Sequence, residues 1–187
     1  MQKNRPSLRL LFSDSARQLR RTQAIALTGV LLAAQIALSS YGSIRLTDSL
    51  WISLGHLAIA PTAMLFGPVV AGAQGALSDI ISYVLRPSGP YFPGFTLSAL
   101  LGGAFYGVAF YNAETTALRI VLARLAVVVV LNILLKTVFL TMLYGPSRIA
   151  TMPARALKSL IQWPVDCVLL LFVCRLVQRI PYSQQLR

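Results

Sequence analysis

Six apolar runs dominate the chain, at about residues 24–41, 52–66, 69–85, 94–111, 118–143 and 156–177. A helix crossing a bilayer needs roughly 20 predominantly apolar residues, because the hydrocarbon core is about 30 Å thick and each helical residue rises about 1.5 Å. The runs approach or exceed that length. The second is the shortest and contains Pro61, so its limits are the least defined. Turn-forming residues separate the runs: Phe66-Gly67-Pro68, the stretch from Pro87 to Phe95, Asn112-Ala113-Glu114-Thr115, and Tyr144-Gly145-Pro146. The pattern predicts an all-α polytopic membrane protein with six transmembrane helices. A membrane domain at 24–180 follows a basic segment at 1–23 and precedes a short tail at 181–187. The first run has the basic flank of a secretory signal, but it is long and five more runs follow, so it is expected to remain as a span.

Polar residues inside such runs are costly and usually face a bundle interior or a water-filled cavity. Residues three and four apart share a helix face. On the third run Asp79, Ser82, Tyr83 and Arg86 have that spacing, and on the sixth so do Arg155, Lys158, Ser159, Gln162 and Asp166. Asn132 and Lys136 form a shorter stripe on the fifth run, with Tyr144 eight residues beyond Lys136. Each stripe has a plain alternative. Asp79 and Asp166 would serve as salt-bridge partners of a neighbouring helix, and Arg155 and Lys158 would snorkel to the outer interface. Taken together, the stripes describe a pocket open to the outside, with cations near its mouth and carboxylates deeper.

The loop after the third run adds walls to that pocket. Residues 87–95 hold three prolines, two glycines and the aromatics Tyr91, Phe92 and Phe95. Prolines restrict the backbone and glycines permit unusual turns, so this loop is stiffer and more aromatic than a connector requires. Residues 42–54 form the other outside loop of the first half. The expected ligand is anionic at one end and carries a planar, hydrogen-bonding ring at the other.

On the first run, Gly29, Ala33 and Ala37 place small residues near one face, which lets another helix approach closely. That face serves either packing within the chain or docking to a second membrane protein.

Composition agrees with the pattern. Hydrophobic residues make up 56% of the 187 and charged residues only 12%, against about 25% charged in soluble domains. The formal charge of +12 does not indicate nucleic acid, because the basic residues sit at the ends of apolar runs rather than in one stripe. They set orientation instead. With both termini cytoplasmic, the inside carries Lys3, Arg5, Arg9, Arg17, Arg20, Arg21, Arg119, Arg124, Arg175, Arg179 and Arg187. The outside carries Arg45, Arg86, Arg148, Arg155 and Lys158, with Lys136 inside a span. Segment 1–23 is expected to lie along the cytoplasmic membrane surface.

Catalysis finds little support. There are five acidic residues and one histidine, His56, which reads as a packing residue. No metal-ligand cluster and no glycine-rich phosphate loop ending in Lys-Ser or Lys-Thr is present, so neither a cofactor nor ATP binding by that route is expected. Cys167 and Cys174 lie about 10.5 Å apart along one predicted helix, too far for a disulfide, and read as small apolar packing residues.

The stretch GPYFPGFTLSALLGGAFYG at 89–107 closely resembles the substrate-binding S-components of energy-coupling factor vitamin transporters, specifically the folate family. Met64-Leu65-Phe66-Gly67-Pro68, Leu143-Tyr144-Gly145, and Met152-Pro153-Ala154-Arg155-Ala156-Leu157-Lys158 followed by Pro164 support it, in order, across about residues 24–180. Lys136 departs from the family pattern. The resemblance implies a six-helix S-component in a bacterial plasma membrane. Such a protein binds its vitamin from outside and associates with one transmembrane coupling protein and two ATPases. Small residues on span 1 commonly serve that docking, and the S-component is thought to topple in the bilayer to release its ligand. Folate fits the expected pocket. Arg86, Arg155 or Lys158 would pair its carboxylates, while Tyr91, Phe92 and Phe95, with Trp51 as a further candidate, would stack on its rings. Asp79 or Asp166 would accept from the pterin N–H groups. An S-component for another vitamin is the first alternative, and a membrane scaffold or enzyme the second.

Overall fold

The computed structural model describes residues 8–40, 44–47, 50–52, 54–87, 90–111, 116–145 and 152–179, leaving aside the side chains of 44–47, 50–52, 152, 154 and 155. The described residues are helical apart from one small hairpin and the connecting turns. A short amphipathic helix α1 (Leu8–Gln18) precedes α2 (Thr22–Ser40). After the hairpin come α3 (His56–Phe66), α4 (Pro68–Leu85) and α5 (Pro93–Phe110). A long continuous helix follows, built from α6 (Ala117–Ala126), a π-helical segment (Val127–Leu135) and α7 (Lys136–Tyr144). The last element is α8 (Met152–Arg179), which runs through Pro164.

Among the described residues, five helices are long and apolar enough to cross a membrane: α2, α4, α5, the 117–144 helix and α8. Their outward faces expose large apolar side chains, including Val30, Val84, Leu97, Met142 and Phe172. In water such a surface would be unfavourable, and against lipid it is the expected exterior. The chain is a multi-pass membrane protein.

The apolar run 52–66 does not form a full span. Its helical part begins only at His56, and α3 has 11 residues, about 16 Å of rise or half a hydrocarbon core. Residues expected in the outside loop and at the start of that run pair instead as antiparallel strands β1 (Ile44–Thr47) and β2 (Leu50–Ile52), with Ile44 opposite Ile52 and Arg45 opposite Trp51. Leu, Trp and Ile alternate across a hairpin as readily as they line a helix, so hydropathy alone does not separate the two.

What α3 lacks in length it gains in burial. Every residue from Ala58 to Phe66 is buried, because small side chains at Ala58, Ala60 and Ala63 let the surrounding helices close on it. Beside it, α4 and α5 meet backbone to backbone. A Cβ at Gly75 would stand 2.4 Å from the Ala99 carbonyl oxygen, one at Gly103 2.1 Å from that of Ala71, and one at Gly107 2.2 Å from Pro68 Cα. No larger residue fits those three positions without separating the helices.

The α3–α4 turn is fixed from outside the bundle. Gly67 has φ 84°, a left-handed conformation that favours glycine. The Ser15 hydroxyl of α1 donates to Phe66 O at 2.6 Å and accepts from the N–H groups of Val69 at 3.0 Å and Val70 at 3.3 Å. A side chain from another helix thus caps α4, whose first N–H groups have no partner within their own helix.

Candidate binding cavity

The half-length α3 leaves room that the longer helices enclose. A cavity of about 870 Å³ opens between them, lined from α2, α3, α4, α5, the 117–144 helix and α8.

One wall is the polar face of α4, where Asp79, Ser82, Tyr83 and Arg86 all line the cavity. Thr96 donates to Asp79 Oδ2 at 2.8 Å, and the Tyr91 hydroxyl lies 2.9 Å from Thr96 Oγ1. Tyr83 and Tyr91 pack with ring centroids 5.1 Å apart. Arg86, at the end of α4, donates to the Ser40 carbonyl at the end of α2 at 3.0 Å. The second wall is aromatic. Phe92 packs on Phe95 and Phe139 with centroids 5.8 and 5.5 Å apart, in edge-on and tilted geometry respectively. Gly94 permits this, since a Cβ there would stand 2.8 Å from the Phe139 ring.

The third wall is the 117–144 helix, which presents Arg124, Val127, Leu131, Asn132, Lys136, Leu140 and Tyr144. Successive steps of four residues drift around an α-helix of 3.6 residues per turn. The π-helical segment at 127–135, with its wider i→i+5 turn, keeps them facing one side. From α8, Lys158, Ser159 and Gln162 complete the lining.

At the floor lies an ion-pair network. Arg124 Nη1 donates to the Tyr106 hydroxyl at 2.9 Å, and Nη2 pairs with Asp166 Oδ2. His56 Nε2 stands 3.3 Å from Asp166 Oδ1, and that oxygen accepts from Gln162 Nε2 at 3.4 Å. Arg124 Nε is buried and has no hydrogen-bond partner among the described residues.

Of the residues singled out in the sequence, Asp79, Tyr83, Arg86, Tyr91, Phe92, Phe95, Lys136, Tyr144 and Lys158 share the cavity. Asp166 does not line it; this carboxylate is 0% exposed and stands behind Arg124, His56 and Gln162. The side chains of Trp51 and Arg155 lie outside the described residues. Gly29, Ala33 and Ala37 are far from the cavity in role: all three are exposed on α2.

Two residues change their reading. Arg124, counted from the sequence among cytoplasmic cations, is 6% exposed and paired to a carboxylate within the bundle. His56, read as packing, lines the cavity at the start of α3. Tyr106 and Gln35, also lining residues, carried no sequence signal of their own. Arg124 carried one: it stands eight residues before Asn132 and twelve before Lys136, so the stripe on that helix extends back to it.

Apolar helices with a lipid-facing exterior, closed around a polar and aromatic cavity, define a membrane protein that holds a small solute. The comparisons give that class a family. Residues 20–172 match the family described as ECF-type riboflavin transporter, S component, and the chain belongs to it. It is therefore a transporter component rather than an enzyme. The folate transporter FolT of Clostridium novyi (strain NT) is 33% identical over 150 residues, covering 80% of this chain and 87% of the relative. FolT of Leuconostoc mesenteroides is 28% identical over 154 residues, covering 78% and 80%. Among solved structures, a crystal structure of FolT bound with folic acid superposes with a TM-score of 0.75 at 36% identity, covering 83% of this chain and 94% of that one.

Removing one partner of a buried ion pair costs about 3–5 kcal/mol, since the other charge is left uncompensated in a poor solvent for it. Asp166→Ala should therefore lower the thermal unfolding midpoint in detergent sharply, and so should Arg124→Ala. The double variant Arg124→Met/Asp166→Leu should recover most of that loss. Additive losses in the double variant would show that the two groups do not act as a pair.

Proposed function

We propose that this protein is the folate-binding S-component of an energy-coupling factor transporter, capturing the vitamin from outside a bacterial plasma membrane for uptake driven by partner ATPases. The observation that carries the reading is the charge of the cavity. Arg86, Arg124, Lys136 and Lys158 line it, and Asp79 is the single carboxylate that does so among the described residues. Asp166 offsets Arg124 from behind, leaving a surplus of cations beside an aromatic wall. Folate supplies two glutamate carboxylates, a benzoyl ring and a pterin. Riboflavin, the vitamin in the family description, supplies a planar ring system but no carboxylate, so it lacks the anionic end that a cationic lining attracts. The FolT relatives support folate.

In this reading Arg86 and Lys158, with Arg155, hold the carboxylates near the mouth by charge-assisted bonds. Tyr91, Phe92 and Phe95 pack on the rings, with Trp51 a further contact. Asp79 accepts from the pterin, because it reaches the cavity, whereas Asp166 positions Arg124 and His56. Arg124 Nε, buried without an acceptor, donates to the pterin carbonyl.

A titration of the purified protein against folate, riboflavin and other vitamins should show tight binding of folate alone. Losing one charge-assisted bond of about 1.5–3 kcal/mol weakens binding roughly ten- to a hundred-fold. Lys158→Ala should do this for folate but not for a pterin fragment lacking the glutamate, while Asp79→Asn should weaken both. Equal losses for the two ligands in Lys158→Ala would remove that lysine from the carboxylate site, and tight riboflavin binding without folate binding would sink the substrate assignment.

The exposed face of α2 is the proposed docking surface for the transmembrane coupling protein, to which two ATPases attach. A Cβ at Gly29 would meet nothing within 4 Å, and Ala33 and Ala37 are exposed, which supports docking over packing within this chain. Ala33→Trp should abolish uptake into proteoliposomes containing the energising module while folate binding by the isolated subunit survives. Parallel loss of both would assign the face to folding.

Six membrane-embedded segments, with α3 as the half-length one and both termini cytoplasmic, complete the proposal. With Arg124 moved into the bundle, ten cations fall inside and five outside, which keeps the bias required for that orientation. An impermeant maleimide applied from outside should modify a cysteine placed at Ser88 or Ser147 and spare one at Ser7 or Gln184; modification at Gln184 rules the topology out.

A further inference from the structure

Helix α1 is held to the body of the protein by one narrow face, and its other faces are unexplained by the cavity. Leu11 and Ser15 are buried, and Ser15 caps α4 at the Gly67 turn. On one flank Leu8, Phe12, Ala16 and Leu19 are exposed at successive spacings of four, four and three residues. Those spacings place Leu8, Phe12 and Ala16 in one strip along the helix, with Leu19 in the turn just beyond its end. One residue further on at each step stand Arg9, Ser13, Arg17 and Arg20, also exposed. The two strips therefore run side by side, apolar next to basic. Asp14 is the one acidic residue of the helix, and Leu10 the one large apolar residue exposed outside the apolar strip.

Paired strips of this kind suit a helix lying in the plane of a membrane interface, with its apolar edge among the upper acyl carbons and its arginines among the headgroups. A protein partner could cover Leu8, Phe12 and Leu19, but three arginines beside them favour a surface of dispersed negative charge. We propose that α1 is a binding site for anionic phospholipid, seated on the leaflet at the Gly67 end of the bundle and coupled to the substrate-binding body through Ser15. The Ser15 bonds join this lipid-bound helix directly to the α3–α4 turn. The inner leaflet is its partner in so far as the proposed orientation holds, and its test uses no vitamin, so it stands or falls apart from the ligand assignment.

The full-length protein carries a single fluorescent label at Phe12→Cys, or independently at Ala16→Cys; Cys167 and Cys174 are buried. Each is reconstituted in equimolar phosphatidylcholine and phosphatidylglycerol, with a nitroxide quencher placed on one lipid or on the other. An arginine near an anionic surface favours that surface roughly fivefold at low salt. Quencher on phosphatidylglycerol should therefore quench at least about twofold more strongly than the same quencher on phosphatidylcholine. The preference should vanish in Arg9→Gln/Arg17→Gln/Arg20→Gln, whose thermal unfolding in detergent should match the parent. Equal quenching by the two lipids in the parent, absence of quenching by either, or a preference that survives in the triple variant overturns the proposal.

Discussion

The carboxylate of Asp166, closed off from water inside an apolar bundle, sets the terms for the elements around it. An isolated charge in such a place is several kcal/mol unfavourable, so it must be matched and hydrogen-bonded. Arg124 matches it from α6, and His56 and Gln162 approach its other oxygen from α3 and α8. Arg124 in turn donates to Tyr106 on α5. Four helices distant in sequence are tied at one point. Hydrophobic burial cannot do this in lipid, because an apolar face is as well solvated by acyl chains as by another helix. A polar network has few geometries in which every member is satisfied, and so it specifies one arrangement of the bundle.

Above that point the bundle would close on itself were it not for the length of α3. Two neighbours, α4 and α5, are already in backbone contact through Gly75, Gly103 and Gly107, so no space is available between them. The space arises because α3 ends at His56 while the longer helices continue. Phe92 and Phe95, backed by Phe139, and the α4 face then line a volume of about 870 Å³. Tight packing at one end and the missing turns at the other are two parts of one design: the glycines give rigidity to the walls, and the short helix gives them something to enclose.

How far this was legible in the sequence follows from the physics of each signal. The five long helices announce themselves, since only a sustained apolar run satisfies lipid. The α4 stripe of Asp79, Ser82, Tyr83 and Arg86 was legible because polar residues at helical spacing inside such a run have one place to point. The hairpin was not, because Leu50, Trp51 and Ile52 are apolar in either conformation, and hydropathy puts Ile52 at the start of the second run and the other two in the outside loop. Arg124 was misread for a related reason. It lies near the start of a long apolar run, where an arginine ordinarily marks the interface, and only its partner Asp166, forty-two residues away, shows otherwise. Asp166 was found as a polar residue in a span, but the sequence cannot say whether such a group faces a ligand or another side chain. His56 reads as packing in the sequence because a lone histidine is more often a packed residue than a ligand.

Arginine thus appears in this chain in three environments, and the surroundings decide what it does. Arg124 is buried and places Nη1 and Nη2 on fixed partners, so its charge is neutralised locally and its contribution is structural order, with Nε left without a hydrogen-bond partner among the described residues. Arg86, at the end of α4, is partly held by the Ser40 carbonyl and keeps its charge at the rim of the cavity, where a carboxylate can approach it without either group being stripped fully of water. Arg9, Arg17 and Arg20 are exposed on a surface helix, where each acts as a hydrated charge screened by salt over about 10 Å and only their number and alignment matter. The same side chain therefore specifies the fold where it is buried, and where it is exposed the proposed roles give it a ligand or a membrane surface to meet. Net charge alone, however large, distinguishes none of these roles.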